Sequence, residues 1–235
     1  IPLCGNCHPC AQTTAQGNPQ PSPNPRTCRL SSIALTSAAV LPPNPTPTMS
    51  SSIEPPQTIT AHLRPIDRDG LLAFAEKGRL NPSARGTNRV HTVTEGQYRT
   101  LSYVGDHAPV VVDEPLHLLG ENTAPAPGEI VLSGLGGCLA VGITAVATWK
   151  QVQLSRLELF LEGDIGNPAA WGAGGALDVT PEQMGFQEIR VKVLIEGDAS
   201  PEELQAIVEQ ANHYSPVANT LRNPIPFQIS LGDAG

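Results

Sequence analysis

The feature that most constrains this chain is a run of 20 residues, 130–149, without a single charged side chain. Its length would suffice to span a bilayer. However, Gly134, Gly136, Gly137 and Gly142 make the run only mildly hydrophobic, and Glu129 precedes it at a position where a negative charge favours a helix start. The run therefore predicts the buried core helix of a globular domain, over about 129–149, rather than a membrane span.

Composition divides the chain into two parts. Residues 1–60 contain 12 of the 24 prolines and only three charged residues, whereas the remainder holds the other 33 charges. A segment so rich in Pro and Ser cannot bury enough apolar surface to offset its ordering entropy. We therefore expect residues 1–57 to be disordered and residues 58–235 to fold as one domain. Met49 is a candidate natural start, and the formal net charge of −8 argues against nucleic-acid binding.

Four of the five cysteines lie in the N-terminal segment. Cys4 and Cys7 precede His8 with the spacing of a c-type haem attachment site, and Cys4, Cys7, Cys10 and Cys28 offer four sulfur ligands for a metal. Because this segment shows no sign of a surrounding fold and no methionine lies nearby as an axial ligand, we expect neither a cofactor nor a metal site.

Hydrophobic periodicity and capping residues predict an α+β domain. Helices are predicted at 68–79, 129–149, 200–212 and 215–221, and strands at 88–94, 97–104, 110–112, 116–119, 154–165, 186–196 and 227–231. The two consecutive Ser-Pro pairs at 200–201 and 215–216 provide N-caps for the last two helices.

The remaining cysteine, Cys138, lies in the middle of the uncharged helix. Three glycines directly before it are poor helix formers, and their presence indicates close approach by another backbone or by a ligand. A buried structural cysteine is the alternative interpretation, because free cysteines are often buried. A reactive cysteine acts as its thiolate, and Cys138 lies too far along the helix for the N-terminal dipole to assist it, so a cation from elsewhere in the fold would be needed.

Residues 129–148, together with the segment Ser-Pro-Val-Ala-Asn-Thr-Leu at 215–221, resemble the osmotically inducible protein C and organic hydroperoxide resistance (OsmC/Ohr) family. The resemblance covers about 89–231. It implies a central cysteine-bearing helix packed on antiparallel sheets in an intertwined homodimer. It also implies that a first cysteine reduces organic hydroperoxides and that a second cysteine resolves the product as a disulfide.

Carried over by position, the resemblance places the peroxidatic cysteine at Cys138, whereas Ser215 occupies the position of the resolving cysteine. The family's arginine is oriented by a glutamate directly after the loop proline; here Gly128 follows Pro127 and Glu129 is displaced by one residue. The candidate arginines are Arg89 and Arg99 in the hairpin and Arg222 in the last helix. His117 is a weaker candidate, and Leu135 and Leu139 are the expected substrate contacts.

These observations favour a thiol-dependent peroxidase that acts on organic hydroperoxides and is regenerated by an external thiol. Two alternatives remain open: an OsmC-like protein that binds a small apolar ligand without catalysis, and a cysteine-dependent hydrolase or transferase. We expect a cytoplasmic homodimer without nucleic-acid or membrane partners.

Overall fold

The structure is a computed structural model that describes residues 63–167, 170–173 and 178–232. These residues lie in the compact unit Pro56–Gly235. The predicted disordered segment 1–57, with Met49 and the four N-terminal cysteines, lies outside the described residues.

The described chain is a mixture of helices and antiparallel sheets, as predicted. The helices are α1 (Arg68–Leu80), α2 (Pro127–Lys150), the short α3 (Ala170–Ala173), α4 (Pro201–Tyr214) and α5 (Pro216–Arg222), and the strands are β1 (His91–Gly96), β2 (Arg99–Tyr103), β3 (Val110–Val112), β4 (Leu154–Ile165) and β5 (Phe186–Gly197). Strands β1, β2 and β3 form one antiparallel sheet in that order, and β4 pairs with β5 in a second.

Helix α2 is the organising element of the fold. Its residues Ile143 and Ala147 are buried against Leu204, Ile207 and Ala211 of α4. One to two turns earlier, the buried Leu135 and Leu139 pack with Ala218 of α5 and with the inner face of the β4–β5 sheet. Burying a side chain of Leu or Ile size contributes about 1.5–3 kcal/mol, so these two clusters account for why α2 lies between the sheet and the last helices.

By length and composition, α2 would suffice to cross a membrane, and it is the one such helix among the described residues. In this structure it packs against β4, α4 and α5, and one face supplies four buried residues of the core. Other positions of the same helix are open to solvent, including Val141 and Trp149.

Two predicted strands are wrong. Residues 116–119 form a single 3-10 turn, Leu116–Leu118, which ends at Leu119 in the left-handed region with φ of 69°. The turn forms because the amide of Leu118 bonds the carbonyl of Pro115 instead of a neighbouring strand. Residues 227–231 are in no strand of the described chain, where no other segment pairs with them.

Helix boundaries differ slightly from the expectation. Helix α2 begins at Pro127, because Pro at the first helical position is preorganised for the helix and Glu129 accepts a hydrogen bond from the Ala126 amide at 2.8 Å. Helix α4 begins with the predicted reciprocal cap between Ser200 and Glu203.

Candidate functional site

Glycines on α2 bring the sheet and α4 close to the helix that carries Cys138. A methyl group at Gly136 would lie 2.9 Å from Leu161 of β4, and one at Gly142 would lie 3.4 Å from Ala211 of α4. At Gly134 and Gly137 the same methyl group would meet no described atom within 4 Å. Packing within the described chain therefore explains Gly136 and Gly142, whereas it leaves the other two facing open space.

Cys138 and Ser215 face each other across α2 and the start of α5. The Cys138 sulfur lies 3.2 Å from the Ser215 hydroxyl oxygen, although 77 residues separate them in sequence. Ser215 is buried, with 3% of its surface exposed, whereas the cysteine is half-buried. The two positions singled out by the sequence resemblance are thus in direct contact.

The Ser215 hydroxyl is fixed by a second bond. Its oxygen accepts the Ala218 amide at 3.2 Å and so caps α5. A hydroxyl has one proton to donate. With the oxygen already accepting from the helix, that proton is available to the Cys138 sulfur. The arrangement can therefore stabilise negative charge on sulfur, because a hydrogen bond to the charged form favours it.

None of the predicted cations lies within hydrogen-bond distance of Cys138 in the described part of the chain. Arg99 donates to Glu95 at 2.7 Å and to the Thr123 hydroxyl at 2.6 Å. Arg89 is exposed and lines a shallow cleft before β1. His117 is in the 3-10 turn rather than on a strand.

Arg222 and Glu129 have structural contacts of their own. Arg222 donates to the Asn212 backbone carbonyl and side-chain oxygen, which ties α5 back to the end of α4. Glu129 serves as the cap at the start of α2 described above. Their proposed roles in the chemistry of Cys138 stay predictions.

A buried carboxylate that sequence reasoning missed organises the loop before α2. Asp113 is fully buried and accepts the Thr123 amide at 2.9 Å and the Thr123 hydroxyl at 2.7 Å. Hydrogen bonds from Thr123 lower the pKa of Asp113 to about 2, and the bond from its amide has a larger effect than the bond from its hydroxyl. The adjacent Glu114 is also buried. Its pKa is raised mainly by desolvation and, to a smaller extent, by the negative charge of Asp113.

Asp113 is linked to Arg99 through Thr123, because the same hydroxyl donates to the carboxylate and accepts from the guanidinium. The loop is thereby joined to the β1–β2 hairpin. An acidic pair directly after the three valines of β3 is the sequence pattern that could have indicated it, since ionised carboxylates are buried only when bonded.

A mostly apolar cavity of about 450 Å³ lies between α2, β5, the end of α4 and α5. Leu135 and Leu139, the expected substrate contacts, form part of its wall. The other apolar residues lining it are Phe186, Ile189, Val191, Ala218 and Leu221, and four polar residues complete the lining: Gln187, Glu188, Asn212 and Arg222. A second cavity of about 330 Å³ continues along β5 and shares Leu139, Ile189 and Val191 with the first. Because Leu135 and Leu139 flank Cys138 on α2, the larger cavity adjoins the helix segment that carries the thiol.

In residues 63–167, 170–173 and 178–232, no group of three His, Cys, Asp or Glu side chains is arranged to hold a metal ion. The N-terminal cysteines lie outside these ranges.

The family model described as OsmC-like protein matches residues 120–230, which include α2, β4, β5, α4 and α5. Residues 120–230 form an OsmC-like domain. Both Cys138 and Ser215 lie within it. No curated protein matches the chain.

Several solved structures are similar to this chain. An OsmC-like protein from Mycoplasma pneumoniae is 18% identical, covering 59% of this chain and 89% of its own, with a TM-score of 0.49. An organic hydroperoxide resistance protein OsmC from Legionella pneumophila is 20% identical, with coverages of 60% and 92% and a TM-score of 0.43. An organic hydroperoxide resistance protein from Elizabethkingia anophelis is 17% identical, with coverages of 59% and 91% and a TM-score of 0.46.

Proposed function

We propose that the OsmC-like domain is a thiol-dependent peroxidase that reduces organic hydroperoxides at Cys138. The observation that carries the proposal is the 3.2 Å contact between the Cys138 sulfur and the buried Ser215 hydroxyl. The neighbouring residues Leu135, Leu139 and Ala218 line a mostly apolar cavity. The family assignment supports a redox role, and the proteins from Legionella pneumophila and Elizabethkingia anophelis are themselves named for organic hydroperoxide resistance.

In the first step the Cys138 thiolate attacks the terminal oxygen of the hydroperoxide ROOH. The O–O bond breaks, the sulfur is oxidised to sulfenic acid, and the leaving alkoxide takes up a proton to give the alcohol ROH. The proton released from the thiol balances the one that the alkoxide takes up. One two-electron oxidation of sulfur thus matches one two-electron reduction of peroxide.

Regeneration requires two equivalents of an external thiol. The first condenses with the sulfenic acid to give a mixed disulfide and water, and the second releases Cys138 as a free thiol and leaves the external disulfide. Ser215 cannot replace the first equivalent, because a hydroxyl forms no disulfide. Its role in the proposal is to donate a hydrogen bond to the thiolate before attack.

The cavity supports selectivity for organic peroxides. Its walls are mainly apolar, so an alkyl or aryl group gains by leaving water, whereas hydrogen peroxide has no such group to bury. Leu135 and Leu139 remain the proposed substrate contacts.

The test uses the 235-residue chain with Cys4, Cys7, Cys10 and Cys28 replaced by serine. After mixing with cumene hydroperoxide or with hydrogen peroxide, free thiol and intact mass are followed over time. We expect rapid gain of one oxygen with cumene hydroperoxide, slower gain with hydrogen peroxide, and recovery of the thiol when dithiothreitol is added. Cys138→Ser is the matched control and should gain none.

Ser215→Ala should slow the oxidation by about tenfold, since a hydrogen bond to a charged group contributes about 1.5–3 kcal/mol and water recovers part of it. Oxidation equally slow with both peroxides, in a folded protein, would refute the peroxidase.

The cavity also favours a second candidate, binding of a small apolar ligand without turnover. An environment-sensitive apolar dye would then bind with the same affinity to the parent and to Cys138→Ser, and peroxide would leave Cys138 reduced. Hydrolase or transferase chemistry would appear instead as an acyl adduct on Cys138 after incubation with an activated ester.

We also propose that the protein is a cytoplasmic homodimer. Large apolar side chains that face solvent in the single chain support a second copy, among them Val141 and Trp149 on α2 and Val110 on β3. The proposed dependence on an external thiol suits a reducing compartment. Nucleic-acid and membrane partners form no part of the proposal.

A further inference from the structure

The OsmC-like domain leaves Cys138 without a resolving thiol of its own. Cys138 is the one cysteine between residues 58 and 235, and Ser215, which touches its sulfur, forms no disulfide. The Cys138 side chain is half-buried, so it is open to a second thiol. A sulfenic acid is cleared by condensing with a thiol. That thiol must therefore come from outside the domain.

The N-terminal part of the same chain carries cysteines that the proposed function has not used. Cys7 and Cys10 have the Cys-x-x-Cys spacing of thiol–disulfide oxidoreductases, in which one thiol attacks and the other displaces. His8 and Pro9 lie between them. A protonated histidine favours the reactive thiolate, and a proline restricts the open dithiol, which lowers the entropic cost of closing the ring. Cys4 and Cys7 have the same spacing, but the glycine between them leaves the backbone freer.

The first described residues lie on the helix that carries Cys138. Leu63 packs against the buried cluster that contains Ala147 of α2. Leu63 and Pro65 also line a small cleft together with Thr144 of the same helix. Thr144 is about 9 Å along the helix axis from Cys138. The N-terminal segment therefore joins the domain less than two helical turns from the thiol, measured along α2.

The chain between Cys10 and Leu63 is long enough for the cysteine pair to reach Cys138. It amounts to 53 residues, which can span up to about 180 Å when extended. A domain of this size has a radius of gyration of about 16 Å. A thiol tethered to the same chain is also met at an effective concentration that reaches the millimolar range. Both quantities favour a thiol of this chain over a dilute thiol from solution.

We propose that Cys7 and Cys10 are the resolving pair for Cys138 in the reduction of organic hydroperoxides. The inference rests on the proposed peroxidase function. One thiol of the pair condenses with the Cys138 sulfenic acid, so that an S–S bond forms and the sulfenic oxygen leaves as water. The other thiol then attacks the sulfur of its neighbour. This step closes the Cys7–Cys10 disulfide and releases Cys138 as a thiolate, which takes up the displaced proton.

The pair supplies both thiol equivalents that regeneration of Cys138 requires. In total, one hydroperoxide and two thiols give one alcohol, one water and one disulfide, so the electrons balance. The external thiol then reduces the Cys7–Cys10 disulfide instead of Cys138. A chain that starts at Met49 lacks the pair and would need the external thiol at Cys138 itself.

The test compares two forms of the 235-residue chain. In the first form Cys4 and Cys28 are serine, and in the second form Cys7 and Cys10 are serine as well. Each form is reduced, freed of reductant and mixed with one equivalent of cumene hydroperoxide, and the products are followed by intact mass and peptide mapping. We expect the first form to lose two hydrogens and to hold a Cys7–Cys10 disulfide with Cys138 reduced. The second form should stop with one added oxygen on Cys138.

Single replacements in the first form test the two steps separately. Cys7→Ser or Cys10→Ser should stop at a disulfide between the remaining thiol and Cys138, because nothing displaces it. Cys138→Ser is the matched control and should keep both thiols of the pair over the same time. At a fixed peroxide concentration, the rate of pair closure should not change when the protein is diluted tenfold, as expected of a reaction within one molecule.

Different results would refute the resolving pair and the peroxidase. One added oxygen on both forms, with Cys7 and Cys10 still reduced, would refute the pair and leave the peroxidase intact. Oxidation of the pair at the same rate in Cys138→Ser would also refute it, because peroxide would then act on the pair directly. A rate of pair closure proportional to protein concentration would contradict resolution within one molecule. If neither form gains an oxygen or a disulfide, the peroxidase fails and this inference fails with it.

Discussion

Replacing Ser215 by cysteine should convert the contact with Cys138 into a covalent bond under oxidising conditions. The two side-chain atoms are 3.2 Å apart, so the sulfurs must approach by about 1 Å to reach bonding distance, which small side-chain rotations can supply. The bond would close a loop of 77 residues, which the chain-entropy relation values at about 4.5 kcal/mol. Loss of the serine cap on α5 costs about 1 kcal/mol.

Because both forms of the variant lack the serine cap, that cost cancels, and the oxidised form should be about 3 kcal/mol more stable than the reduced form after an allowance of about 1.5 kcal/mol for strain in the disulfide. For a chain of this size, that raises the midpoint of thermal unfolding by about 6–12 °C. The same variant should consume organic hydroperoxide once without external thiol and stop as the disulfide.

The assay compares oxidised and reduced Ser215→Cys, with the four N-terminal cysteines as serine, by peptide mapping and by thermal melting. Thr220→Cys, on an exposed position of α5, is the matched control and should remain unbridged. If peroxide over-oxidises both sulfurs of Ser215→Cys without joining them, or if the bridged form melts no higher than the reduced one, the geometry argued for the Cys138–Ser215 contact is wrong.

Three further predictions concern the scaffold. Ile207→Ala should lower the free energy of unfolding in urea by about 2–5 kcal/mol, because Ile207 is fully buried between α2 and α4; a loss below about 1 kcal/mol would contradict that packing. Asp113 has a lowered pKa of about 2, so the stability it supplies is present above the unfolded value near ~3.9 and is lost as pH falls from about 4 towards 2. In Asp113→Asn the free energy of unfolding should therefore fall less steeply between about pH 4 and pH 2 than in the parent protein. The same pH dependence in both proteins would contradict the argument. Gly134→Ala should raise the free energy of unfolding by about 0.5–1 kcal/mol, whereas Gly136→Ala should gain less or lose, because its methyl group meets Leu161 at 2.9 Å; equal effects in chemical denaturation would count against this difference.

Where local rules decide a structure, the sequence was sufficient to predict it. The cap of α4 follows from Ser200, Pro201 and Glu203, whose side chains and ring act within one turn. The β4–β5 pair follows from apolar and polar residues that alternate over part of each strand, most regularly over 189–193 of β5. Cys138 and Ser215 were singled out by a resemblance, and the structure adds that they touch.

What local rules could not supply depends on groups distant in sequence. Residues 116–119 have the composition of a strand, but no neighbouring strand is in place and the backbone closes on Pro115 instead. Residues 227–231 alternate correctly, yet a strand exists only if another strand pairs with it. The sequence offers Arg99 as a candidate partner of Cys138, whereas the fold brings Thr123 to its guanidinium, a contact across 24 residues that no periodicity encodes.

The Ser215 hydroxyl oxygen makes two contacts at once, because it caps the first turn of α5 and also lies against the Cys138 sulfur. A substitution at this position consequently changes both the cap of α5 and the contact with the Cys138 sulfur. Alanine removes both contacts, aspartate keeps the cap but brings a negative charge against the sulfur, and cysteine gains a disulfide while weakening the helix start. Exchanging serine for cysteine at this position thus weakens the start of α5 and in return allows a disulfide to form without an external thiol. Substitutions that compensate for the weaker helix start are expected among the neighbouring residues of α5.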